Sequence, residues 1–122
     1  METHRFERLV GEAIDKLPGE FRDRLENIDI VVADSPTREQ LKTLKEKKSH
    51  TLLGLYEGVP LTERTENYGF VMPDKITVFQ RSIEAMCRTD ARIVIEIERV
   101  VRHEIAHHFG ISDDRLEELG RY

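Results

Sequence analysis

The sequence predicts one domain, residues 1–122, built of mixed helices and strands. Three observations carry that prediction. Apolar residues recur at helical spacing in the first and the last third of the chain. Between them lie β-branched runs and an alternating segment that suit short strands. The last long helix has an apolar arc broad enough to cover a sheet.

The elements follow in chain order. Phe6, Leu9, Val10, Ala13, Ile14 and Leu17 mark a first helix, which Pro18-Gly19 ends. Pro18 can also open a second short helix with Phe21 and Leu25 on its apolar side. Ile28, Ile30, Val31 and Val32 predict a strand over 28–33, broken by Asp34-Ser35-Pro36. Thr37 with Gln40 forms a capping-box pattern, so a helix over 36–45 is expected. Residues 51–57 suggest a strand, interrupted by Gly54. Residues 58–74 read as a long loop containing Gly58, Pro60, Gly69 and Pro73, of a length that often serves function. Residues 75–80 alternate, with Ile76, Val78 and Gln80 on one face and Lys75, Thr77 and Phe79 on the other, as in a half-buried strand. A short helical link is expected over 82–88. Asp90 suits the N-cap of the long helix, which Gly110 stops. A short terminal helix is expected over 113–119, with Ser112 as its cap.

Composition narrows the function classes. The formal net charge is −5, which argues against a general nucleic-acid binder, whose affinity comes from cations on phosphate. The hydrophobic fraction is 39%, too high and too periodic for disorder. No run approaches the ~18 apolar residues of a membrane helix, so no membrane partner is expected. Residues 1–7 show no apolar core of a secretory signal. A single cysteine, Cys87, excludes an intrachain disulfide and a cysteine-based zinc site in a monomer. The expected address is therefore a reducing cytoplasm, and Cys87 is expected to be a packed thiol.

The long helix carries the chemistry. On a helical wheel Ile93, Val94, Ile97, Val100, Val101 and Ile105 fall within an arc of about 140°. Arg92, Glu96, Glu98, Arg99 and Arg102 are expected on the opposite, solvated side. Glu104 breaks the pattern by falling inside the apolar arc, where a carboxylate is costly without a metal, a proton or a partner. His108 falls inside it too and is expected to be a hydrogen-bonded core histidine. His103 and His107 lie one turn apart, at the edge of the arc, so their imidazoles can converge on one ion. The string His103-Glu104-Ile105-Ala106-His107 is the His-Glu-x-x-His arrangement. Its spacing sets two nitrogens about 2 Å from one zinc ion and leaves the glutamate beside it. Gly110 permits the chain to turn back, and Asp113 stands where the metzincin pattern has a third histidine. Asp114 is the neighbouring alternative, and both acids also suit the start of the terminal helix.

The chain resembles the small bacterial zincin-like metallopeptidases, described as a minimal zincin fold. The resemblance rests on the string from His103 to Asp114, supported by Gly54-Leu55-Tyr56-Glu57-Gly58-Val59-Pro60-Leu61-Thr62-Glu63-Arg64 and by Pro73-Asp74-Lys75-Ile76. It implies an α+β domain in which a small sheet packs against a long active-site helix with flanking helices. It also implies a zinc site of His103, His107 and Asp113, with Glu104 as the general base.

The expected activity is hydrolysis of a peptide bond by a metal-activated water, on a peptide or protein substrate. Tyr56, Arg64, Tyr68 and His108 are candidate donors to the oxyanion. Either strand, 51–57 or 75–80, could take an extended peptide by edge addition. The alternative is a non-catalytic zinc-binding module, in which the metal pins the terminal helix to the long one. A His-His-Asp set also suits iron or manganese.

Overall fold

Phe6, Leu9, Val10 and Ala13 are the buried side chains of α1 (Thr3–Asp15), as the apolar spacing requires. The fold was traced in a computed structural model, which describes residues 1–46, 53–58 and 74–109. Pro18 caps the start of α2 (Gly19–Arg24), and Phe21 is its buried residue. A 3-10 turn over Leu25–Asn27 then leads into β1 (Ile28–Ala33). α3 (Arg38–Glu46) starts at the capping box read from the sequence. The Thr37 amide donates to Gln40 Oε1 and the Gln40 amide donates to Thr37 Oγ1, both at 3.0 Å. Two otherwise orphaned backbone donors are thereby satisfied.

β3 (Asp74–Phe79) lies at the centre of the sheet, in the order β1-β3-β2. It runs parallel to β1 and antiparallel to β2 (Gly54–Glu57). This position corrects the sequence expectation of a half-buried strand. Only Lys75 of β3 is exposed, because both faces of the strand are covered. Ile76 and Val78, with Tyr56 of β2, enter the main core. Phe79 and Leu55 form a second cluster, against which Ala33 packs. On the Leu55 side, Gln40 Nε2 of α3 donates to Glu57 Oε1 at 3.0 Å.

α4 (Gln80–Met86) follows β3 directly, and α5 (Asp90–His108) crosses the main core. Thr89, not Asp90, is the N-cap of α5: its hydroxyl accepts from the Arg92 amide at 3.1 Å. Asp90 instead pairs with Arg5 of α1 at 2.6 Å. Two residues expected on the solvated side are buried, Glu96 at 7% exposure and Arg102 at 2%. The reason is that α5 packs against α1, α2 and α4 as well as against the sheet. Helices cover what a sheet alone would leave open. Arg102 answers its burial with a 2.9 Å pair to Glu98, and Arg99 lies 3.6 Å from Glu96.

Gly54 explains why α5 can lie so close to β2. A Cβ at this position would collide with Val100 Cγ1 of α5 and would lie 3.2 Å from the Thr77 carbonyl oxygen. The residue that looks like a strand interruption is thus the point of helix–strand contact. Among the described residues the arrangement is α+β, five α-helices with a three-stranded mixed sheet against the longest helix. The helix stop at Gly110, the loop residues 59–73 and the terminal helix over 113–119 lie outside the described residues.

Two outcomes test this packing. Gly54→Ala is expected to lower stability in urea denaturation by about 2 kcal/mol through overpacking, and Val100→Ala in the same chain recovers part of the loss. Thr37→Ala removes one arm of the capping box and is expected to cost about 1 kcal/mol in the same measurement.

Candidate metal centre

The last turns of α5 are anchored from inside. Ile105 and Ala106 are fully buried, while His103 and His107, on either side of them, are exposed. The core side of the helix therefore fixes the direction in which the two imidazoles project. Their ring centroids lie 5.7 Å apart with planes at 75°. Two imidazoles at this separation, exposed on one turn, suit a shared divalent ion. Among the described residues, no three His, Cys, Asp or Glu side chains form a metal-binding group. Asp113, the expected third ligand, and its alternative Asp114 lie outside the described residues.

Glu104, between the histidines, is half-buried on the side facing the sheet. Its partner is the backbone of β2: the Tyr56 amide donates to Glu104 Oε1 at 2.8 Å. A charge-assisted bond of this length offsets much of the cost of withdrawing a carboxylate from water. Among the described residues β2 lies at the edge of the sheet, and its Tyr56 amide reaches the helix.

Tyr56 is tied down at three points. Besides the amide, its hydroxyl donates to Asp74 Oδ2 at 2.6 Å. Its ring stacks on the His108 ring, with centroids 3.9 Å apart and planes 12° from parallel. His108 Nε2 in turn lies 3.9 Å from Asp74 Oδ2. His108 was expected in the core, but its side chain is 39% exposed and covers Tyr56 instead. Phe109 meets His108 edge-on at 5.0 Å, and the Arg24 guanidinium sits 4.8 Å from the centre of the Phe109 ring. The end of α5 is thereby joined to α2.

Sequence reasoning missed Asp74 as a partner of this site. The sheet register supplies the missing fact: Tyr56 pairs with Ile76, so Asp74 is its diagonal neighbour on the same face. Pro73-Asp74-Lys75-Ile76 marks the segment, but the sequence does not state which strand it meets. Tyr56, a candidate oxyanion donor, has its hydroxyl engaged by Asp74. Arg64 and Tyr68 lie outside the described residues. Of the two strands considered for edge addition, β3 is flanked on both sides, and β2 is an edge strand among the described residues.

Cys87 is half-buried, and burial pushes its thiol up from the ordinary value. Glu96 adds to the rise and Arg92 opposes it. The thiolate is the reactive form, so a raised thiol is less reactive at neutral pH. Alkylation of Cys87 by iodoacetamide is therefore expected to run slower at pH 7 than with a free cysteine, and to accelerate as pH rises beyond the ordinary thiol range.

No helix among the described residues is long and apolar enough to cross a membrane. The family model of the zincin-like metallopeptidases matches residues 25–121. No curated protein matches the chain.

Proposed function

The chain belongs to the zincin-like metallopeptidase family, and from that premise we propose that it is a zinc-dependent peptidase with Glu104 as general base. In this reading His103, His107 and Asp113 hold the metal. One observation carries the proposal. Two exposed imidazoles stand one helical turn apart, and the carboxylate between them is already held against a sheet edge.

The donors suit the ion by their chemistry. Neutral imidazole nitrogens and one carboxylate form a borderline-soft set that zinc accepts. When bound, zinc supplies Lewis-acid activation of water and of the substrate carbonyl. Glu104 takes a proton from the attacking water and returns it to the leaving amine, which completes the transfer without net change in the enzyme. The Tyr56 amide holds the carboxylate for that task at Oε1. The substrate class is an extended peptide or an unfolded segment of protein. It lies along β2, an edge strand among the described residues, and pairs with outward main-chain groups other than the Tyr56 N–H, which Glu104 engages. The proposed address is the cytoplasm.

Two variants test the assignment. Glu104→Gln is expected to keep its zinc, measured by elemental analysis, and to lose about 10²–10⁴-fold in cleavage of a mixed peptide library. Wild-type cleavage in that variant would overturn the base. His103→Ala is expected to bring zinc content to background, and full retention removes His103 from the ligand set. Zinc in the wild type with no cleavage of any library peptide favours the non-catalytic zinc module.

A further inference from the structure

Asp74 is a buried carboxylate that the proposed chemistry does not use. A carboxylate withdrawn from water needs hydrogen bonds or a charge partner to persist. Here the Tyr56 hydroxyl donates to Oδ2 at 2.6 Å, and His108 Nε2 lies 3.9 Å from the same oxygen. Gly58 lets the chain pass close by, since a Cβ there would lie 3.2 Å from both Asp74 Oδ1 and Tyr56 Cε1. The group is thus enclosed by the strand that carries Tyr56 and by the end of the helix that carries Glu104.

Tyr56 links the two. Its hydroxyl is fixed by Asp74, its ring face by His108, and its amide meets Glu104 at 2.8 Å. A ring held both at its tip and across its face has little freedom to rotate. Its Cα, and the direction of its amide, are then held as well. Catalytic groups need support of this kind, because small displacements cost large factors in rate.

We propose that Asp74 is a positioning residue for Glu104, acting through Tyr56: it anchors the tyrosine hydroxyl so that the β2 amide holds the Glu104 carboxylate in place. The catalytic consequence rests on the proposed role of Glu104, whereas the coupling itself requires no metal. Tyr56 and Asp74 are 18 residues apart in the chain, and Tyr56 and Glu104 are 48 apart, so the relay exists only in the folded sheet.

Amide hydrogen exchange by NMR on the full chain, metal-free and zinc-loaded, reads the coupling directly. Glu104→Ala is expected to accelerate exchange at the position-56 amide about tenfold or more. Tyr56→Phe keeps the ring and loses only the hydroxyl, and is expected to accelerate the same amide by a similar factor. The Ile76 and Val78 amides of the central strand should stay within about twofold of wild type. Asp74→Ala should behave like Tyr56→Phe. Asp74→Asn keeps an oxygen acceptor and should bring exchange back to within about threefold of wild type. An unchanged position-56 amide in Tyr56→Phe overturns the inference. So does an acceleration shared equally by Ile76 and Val78, which marks general loosening. If Asp74→Ala does not fold, Tyr56→Phe alone decides. Zinc content of the zinc-loaded wild-type sample separates the two ideas: absence of bound zinc there overturns the peptidase reading, and an indifferent position-56 amide overturns this one.

Discussion

A carboxylate on an apolar helix face and an amide on a sheet edge satisfy each other where Glu104 Oε1 meets the Tyr56 N–H at 2.8 Å. Each group would be a liability alone. Glu104 would carry a charge towards the core, and the edge strand would present an uncovered donor. The contact requires α5 to lie almost on the backbone of β2. Gly54 and Val100 make that approach possible, one by lacking a side chain and the other by filling the space. The geometry of the candidate centre is therefore set by a packing distance between two elements.

The rest of the core serves to hold that distance. α1, α2 and α4 surround the part of α5 that the sheet does not cover. This wrapping accounts for the burial of Glu96 and Arg102, whose ion pairs along the helix answer their loss of water. Fully buried Ile105 and Ala106 then fix the rotation of the final turns, so that His103 and His107 face outward together. Phe109, stacked beneath Arg24, joins the helix end to α2.

Local signals were legible in the sequence. The capping box of α3, the apolar stripe of α1 and the long helix each depend on residues three or four apart, and the structure has all three. The His-Glu-x-x-His string is local in the same sense, and the family match extends over 25–121. Facts of strand order were not legible. Thr77 and Phe79 look solvent-facing until β3 is known to be central. The Asp74–Tyr56 bond needs the antiparallel register, which alternation alone does not provide. Glu96 and Arg102 were misread for a related reason: a wheel shows which face is apolar, not how many neighbours surround the helix. The expected ligand Asp113 lies outside the described residues.

Tyr56 pairs with Ile76, and successive residues of a strand face opposite sides. A slip of β2 by a single position would turn the tyrosine ring out of the core and aim a carbonyl-and-amide pair of the wrong parity at the helix. The Glu104 contact is therefore a check on strand alignment: a chain joined one residue out of step leaves this carboxylate without its backbone donor.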